Sequence, residues 1–343
     1  MKFVSGLCLA VLVLLSGAAL AQQAPTPEQQ QQQRQVTQPG NNAPVWREVR
    51  KEGQEHYTSI KGRETGVLVQ SWGDTWRRIR NGPVTFWGGW LVLGSLLILA
   101  ALYFGKGPVK LHQKPTGRMM QRFSDWERVV HWSVAISFCV LGISGLIMLF
   151  GKHVLLPVIG YTLFAWLTSL GKNLHNFVAP FFIVSVAVMA VIWAKDNLWK
   201  SYDWRWFGKM WGFLMRGEHV PSGRFNGAEK AWFWGGVVLL SIVMAWSGLI
   251  LLFPNFDQTR ATMQEAWIWH AVAGLLYIAA ALAHIYMGTI GVDGAYQNMR
   301  EGVTDETWAK EHHEIWYNEV KSGKRPSAGG AVPAGAPHRE ERS

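Results

Sequence analysis

Four histidines, His131, His175, His270 and His284, lie in long apolar stretches that hold no Asp, Glu, Lys or Arg. An ionisable side chain at membrane depth is costly and marks a functional site whose partner has to be found. Four imidazoles make two pairs, and paired imidazoles at membrane depth suit two bis-histidine haems. Two imidazoles per depth, without thiolate or carboxylate, suit haem iron better than zinc. A proton relay is the competing chemistry, but relays bring Asp or Glu into the spans.

The elements that must position these rings are five apolar runs: Phe86–Phe104, His131–Phe150, Leu174–Ala194, Trp232–Phe253 and Trp267–Ile290. Each is long enough to cross the hydrocarbon as a helix, which takes about 20 residues. Trp87, Trp132, Trp193, Trp232 and Trp267 lie near run ends, as interfacial aromatics do. The fold class expected is an all-α integral membrane protein, a bundle with a four-helix dihaem core and one extra N-terminal transmembrane helix.

Orientation comes from the basic residues between runs. The 105–130 and 195–231 connections hold six and seven Lys or Arg, whereas 151–173 and 254–266 hold two and one. The positive-inside bias places the rich connections in the cytoplasm. Residues 1–21 look like a signal peptide, with Lys2, an apolar stretch Leu7–Leu15 and a small-x-small site at Ala19–Ala21. Cleaved or retained as an anchor, it exports the segment from residue 22 onward. Both arguments put the mature N-terminus in the periplasm and the C-terminus in the cytoplasm of a multi-pass protein of the bacterial inner membrane. Arg77, Arg78 and Arg80, just outside the first run on the exported side, run against that count.

This orientation gives each histidine a depth. His131 opens the second run near the cytoplasmic face, and His175 begins the third near the periplasmic face. His270 is near the outer end of the fifth run, and His284 lies fourteen residues deeper. Fourteen residues rise about 21 Å and return to within about 40° of the same helical face. Depth therefore pairs His175 with His270 and His131 with His284.

Neighbouring residues add weaker signals. Arg128 and Lys172 each precede a histidine by three positions; each is either a partner for a haem propionate or an interfacial cation. Gly142 lies within about 20° of the His131 face, and either admits a porphyrin edge or serves helix crossing, as Gly145 also does. Cys139 is expected as a buried apolar filler. Ile143–Phe150 (ISGLIMLF) echoes Trp246–Phe253 (WSGLILLF), and the residues around His175 loosely echo those around His270. Two copies of a helical hairpin would give this pattern, and so would the low complexity of apolar sequence.

Composition bounds the rest. Of 343 residues, 49% are hydrophobic and only 16% charged, with net charge +10 and pI near 9.7. Scattered between apolar runs, that positive charge reads as cytoplasmic-loop and headgroup contact, and not as a nucleic-acid surface. Only Cys8 and Cys139 are present, which excludes intramolecular disulfides after cleavage, thiolate-bound clusters and covalently attached c-type haem. Haem here would be b-type. The expected organisation begins with a signal peptide (1–21), a periplasmic segment, Gln/Pro-rich then mixed (22–85), and an extra transmembrane helix (86–104). It continues with a cytoplasmic linker (105–130), a four-helix cytochrome domain (131–290) and a cytoplasmic tail (291–343). The tail carries an amphipathic helix through Trp308–Val320 and ends in an Ala/Gly/Pro stretch.

Several short stretches resemble the cytochrome b (gamma) subunit of membrane-bound respiratory formate dehydrogenases. They are Arg128-Val-Val-His131-Trp132, Asn173-Leu-His175-Asn176, Arg224-Phe-Asn226, Ile268-Trp-His270-Ala, Ala283-His284-Ile and His312-His313. The resemblance covers about residues 120 to 317. It implies two b haems on these four histidines in the same pairing, and a quinone pocket beside the inner haem at Asn226 and His284. Asn226 precedes Gly227-Ala228 here, the reverse of the family's small pair, and from sequence alone it also reads as a helix N-cap. The implied partners are an iron–sulfur beta subunit, a molybdenum- or tungsten-containing catalytic alpha subunit and a membrane quinone. Such a chain is the electron-transfer and quinone-reducing part of the enzyme, without a formate-oxidising site. The cytochrome b subunit of a membrane-bound hydrogenase or thiosulfate reductase is the nearest alternative. Two others are a haem-free anchor or proton-conducting subunit, and a functional 46–85 segment for which the spans are only a tether.

Overall fold

The computed structural model describes residues 72–325. The signal segment, the Gln-rich tract, the exported segment as far as residue 71 and the Ala/Gly/Pro end lie outside the described residues.

Among the described residues five helices are long and apolar enough to cross a membrane: α1 (Gly73–Gly105), α2 (Asp125–Val154), α3 (Leu156–Trp193), α5 (Gly227–Leu252) and α6 (Arg260–Gly291). Each begins before the apolar stretch that marks it in the sequence. A span length is set by hydrocarbon thickness, whereas a helix continues until its backbone is capped or broken. α2 starts at a capping box, where Ser124 accepts from the Glu127 N–H and the Glu127 carboxylate accepts from the Ser124 N–H. His131 is therefore in its second turn. α3 runs back through residues expected to form a loop, with one break at Gly160, whose φ of 74° is left-handed backbone. α5 opens on a second capping box, Asn226 with Glu229, and has a π-helical segment over Phe233–Leu240.

α2 and α3 form one antiparallel hairpin, with Gly171 set against Ser144 and Phe164 against Gly151. α5 and α6 form the second. α1 leans on α6 where Gly88 makes room for Leu275; a Cβ there would lie 2.4 Å from Leu275 Cδ1. At its foot Arg77 and Arg78 pair with Asp74, and the Arg80 guanidinium sits over the Trp76 and Trp267 rings. The basic cluster that disturbs the loop count thus has local partners. Cys139 is exposed on the flank of α2, a correction to the buried position expected of it. An apolar side chain in a span needs no burial in protein, because the surrounding lipid is as apolar as a core.

At the end of the bundle that carries His131, the connections fold into a polar cap. Strand β1 (Met119–Gln121) pairs antiparallel with β2 (Val303–Asp305), Met120 facing Thr304. The cap also holds α4 (Ser201–Arg216), α7 (Ala295–Glu301), α8 (Glu306–His312) and α9 (Glu314–Lys321). The 105–130 stretch is tied to the tail, the His112 and Gln113 N–H groups donating to Glu311 and those of Thr116 and Gly117 to Asp305. In place of the single amphipathic helix expected over Trp308–Val320 there are two, broken at His313 (φ −140°, ψ 51°). The break turns His313 inward, where its Nδ1 bonds the Gly223 carbonyl at 2.8 Å. Trp308 and Trp316 are buried beneath it.

Candidate functional site

The fold brings the four histidines together two by two. On the far side from the cap, the His175 and His270 ring centres are 6.1 Å apart. On the cap side, those of His131 and His284 are 6.3 Å apart. His270 and His284 both project from α6. Tyr277, midway between them, is buried and shares a 2.9 Å hydrogen bond with Ser241.

The far-side rings have their orientation fixed by serines that sequence reasoning missed. Ser144 on α2 gives its hydroxyl proton to the Val140 carbonyl (2.7 Å) and lies 2.9 Å from His175 Nδ1. Ser247 on α5 does the same with the Val243 carbonyl (2.6 Å) and His270 Nδ1 (3.0 Å). A hydroxyl that has spent its proton can only accept, so each Nδ1 carries the hydrogen and each Nε2 the lone pair. That is how a second group sets the ligating nitrogen of a histidine. The glycine after each serine lets the partner ring lie on the backbone: a Cβ on Gly248 would be 3.2 Å from His270 Cε1, and one on Gly145 3.6 Å from His175 Cε1. Both serine–glycine pairs fall in the two echoing octapeptides, which is where the sequence held this signal.

Aromatic rings frame the cap-side pair instead. Trp232 stacks on His284 with centres 5.0 Å apart and planes 14° apart, and Trp132 and Trp193 flank His131. His131 Nδ1 is buried without a hydrogen-bond partner among the described residues. Behind it the Trp193 indole N–H donates to Glu127 (2.9 Å), and Arg224 clamps the same carboxylate at 2.7 and 2.9 Å. Arg122 and Arg224 exchange bonds, each donating to the other's carbonyl, with both guanidiniums over Phe123 and Phe225.

The spacing can be tested against a metal held between two imidazoles. A bond of about 2 Å on each side, plus about 1.2 Å from each nitrogen to its ring centre, requires roughly 6.4 Å between centres. Both pairs meet that within a few tenths of an ångström. With free Nε2 lone pairs fixed on the far side and an apolar surround at both, the residues fit haem iron.

The remaining sequence candidates occupy different surroundings. Asn226 is the N-cap of α5: its Oδ1 accepts from the Glu229 N–H (3.0 Å), and among the described residues its Nδ2 has no protein partner. No hydrogen bond among the described residues joins it to His284, whose ring is instead stacked on Trp232 in the second turn of α5. Arg128 donates to the carbonyls of Met299 (3.3 Å) and Arg300 and pairs with Asp125 (2.9 Å). Lys172 is exposed, one turn from His175. In the cap, burial pushes His312 down to about 4 and His313 well below the usual imidazole range.

Known proteins share much of this chain. The sequence profile described as prokaryotic cytochrome b561 matches residues 122–300. The nitrate-inducible formate dehydrogenase cytochrome b556(Fdn) subunit of Escherichia coli is 29% identical over 217 residues, covering 60% of this chain and 94% of that protein. The formate dehydrogenase cytochrome b556(fdo) subunit of the same species is 29% identical over 203 residues, covering 58% and 92%. A Shigella flexneri cytochrome b556(Fdn) subunit matches to the same extent as the first.

Proposed function

This chain belongs to the prokaryotic cytochrome b561 family, and on that footing we propose that it is the dihaem b-type cytochrome subunit of a respiratory formate dehydrogenase. In this reading it anchors the complex in the inner membrane and passes electrons from a periplasmic iron–sulfur partner to a membrane quinone. The observation that carries it is the pair of matched histidine pairs, 6.1 and 6.3 Å between ring centres, on opposite halves of one bundle. Formate as the donor is supported by the relatives, each named as a formate dehydrogenase cytochrome subunit.

His175 with His270 would hold the outer haem b, and His131 with His284 the inner one; the haems supply one-electron carriers at two depths. The chain's own part is placement. Ser144 and Ser247 orient the outer ligands, and the Tyr277 level separates the two pairs. Lys172 is open to an outer propionate, while Arg128 is already engaged by tail carbonyls. At the inner end the Asn226 Nδ2 and His284 are offered to a quinone head, and the polar cap stands between them and the cytoplasm. In the same reading the iron–sulfur beta subunit and the molybdenum or tungsten alpha subunit complete the enzyme, and formate oxidation falls to the alpha subunit.

The test is a formate-reduced minus oxidised difference spectrum of membranes with and without the chain. A b-type signal requiring both formate and the chain is expected. Reduction by dithionite alone would keep the haems and move the donor to a hydrogenase or thiosulfate system. No chain-dependent signal with either reductant would overturn the haem reading.

A further inference from the structure

The helix α4 carries three separate faces. At about 100° per residue, Asp203, Trp206 and Phe213 fall on one side, Trp204, Trp211 and Met215 within about 40° on a second, and Arg205, Lys209 and Arg216 within about 40° on a third. The first face is buried in the protein. It seats directly on the first turn of α5, where a Cβ on Gly227 would be 3.2 Å from Trp206 Cβ and 3.1 Å from the Asp203 carbonyl. Asp203 is fixed there by a 2.8 Å ion pair with Lys230. The second face is open, with Trp204 67% and Trp211 64% exposed, and Trp199 stacks on Trp204 to extend it.

Two indoles left this open on a water-facing surface would be an aggregation hazard. A bilayer interface is where indoles settle, and a cationic stripe beside an aromatic one is the pattern of a helix lying in the headgroup layer. The tethers fit that placement. Seven residues separate the end of α3 from the start of α4, so α4 cannot stand more than about 25 Å from that span's end. Its contact with Gly227 holds it at the level where α5 begins.

We propose that α4 is a surface-lying membrane anchor, its Trp204–Trp211–Met215 face sunk at the acyl boundary and its Arg205–Lys209–Arg216 face bound to anionic phospholipid headgroups. A basic residue near an anionic surface gains from both charge and proximity. The anchor would fix the height of the Asn226 turn relative to the membrane, because Gly227 packs against it.

The test places a spin label at Met215→Cys or Lys209→Cys in the full chain carrying Cys8→Ser and Cys139→Ser. The protein is reconstituted in vesicles of phosphatidylcholine with or without phosphatidylglycerol. The Met215 label is expected to relax several-fold more with oxygen than with a water-soluble nickel chelate, and the Lys209 label in the opposite sense. The triple variant R205Q/K209Q/R216Q should co-purify with less phosphatidylglycerol and bring the Met215 label towards water. A Met215 label open to the chelate overturns the anchor, and one closed to both reagents assigns the face to protein. Unchanged phosphatidylglycerol in the triple variant overturns the headgroup half of the proposal.

Discussion

The far-side histidines rest on serine hydroxyls and the cap-side histidines on indole rings, although both pairs hold their ring centres just over 6 Å apart. The difference comes from how the bundle is built. Both hairpins open on Arg-Phe, then a capping Ser or Asn, then a Glu three positions on: Arg122-Phe123-Ser124 with Glu127, and Arg224-Phe225-Asn226 with Glu229. Both later carry Ser-Gly opposite a histidine of the following helix. The cap-to-serine interval is twenty residues in α2 and twenty-one in α5, and the π-helical segment of α5 takes up the extra residue. The far-side site is thus made twice by the same device. The cap-side site is not, because seven positions after the cap α2 has His131 and α5 has Phe233. Its second histidine comes from α6, which leaves the start of α5 free for Asn226 and Trp232. Repetition supplied a symmetric holding site, and departure from it supplied the end where a substrate could be recognised.

The sharpest way to break this comparison is to remove one histidine at a time. His175→Ala or His270→Ala should lose one of two haems per chain, block reduction by formate and leave the other haem reducible by quinol. His131→Ala should keep a formate-reducible haem and lose quinone reduction. Pyridine haemochrome assays with difference spectra separate these outcomes. Loss of both haems from one substitution in a folded protein would sink the independent pairing.

Smaller changes should act on one site only. Gly236→Ala would place a Cβ 2.5 Å from the Trp232 ring, so the indole must leave His284, at roughly 1–3 kcal/mol of overpacking. Redox titration should show the cap-side potential shift while the far-side one stays. Ser144→Ala or Ser247→Ala removes the acceptor that fixes Nδ1–H, and far-side haem retention should weaken about 10- to 100-fold. An equal change at both haems would mean the serines act through the fold. Gly248→Ala should disturb the far-side haem more than Gly145→Ala, because its Cβ would sit 3.2 Å from the ring against 3.6 Å.

The spans and the four histidines were legible because charge-free runs and helical rise are local properties. The depth argument needed only the rise per residue and the order of the helices. Ser144 and Ser247 were not recognised, since a serine in an apolar helix reads as bonded to its own turn until the facing ring is known. The cap was missed for a different reason. Arg122 meets the Arg224 carbonyl 102 positions away, and Thr116 and Gly117 meet Asp305 at separations of 189 and 188. Such pairings leave no periodic trace, so a polar connection reads as a linker. The misplacement of Cys139 had a physical source too, the assumption that apolar means buried, which fails where lipid is the solvent.

Acid also distinguishes the two ends. Burial holds His312 down at about 4, against an ordinary value of 6.5, and lowers His313 in the same direction. Their folded values lie below the unfolded one, so between the two the unfolded cap takes up protons that the folded cap refuses. Cap stability is therefore greatest above pH 6.5 and declines as pH falls, with one proton taken up on unfolding for each histidine. Asp196 and Glu306 are lowered in spite of their burial, through hydrogen bonds from Arg325 and Arg224 and from Lys321 and Arg118. Carboxylates of this kind lose their contribution as pH falls through their ordinary values of 3.8 and 4.5, so the upper part of the interval between 6.5 and 4.5 reports the histidines. Hydrogen-exchange protection in residues 292–321 should fall across that interval, and His312→Phe, beside Phe213 and Trp308, should reduce the slope by one proton. In the same titration the cap-side haem signal should broaden before the far-side one, whose serine partners carry no charge to lose. Simultaneous broadening would mean that the cap does not hold the inner pair in place.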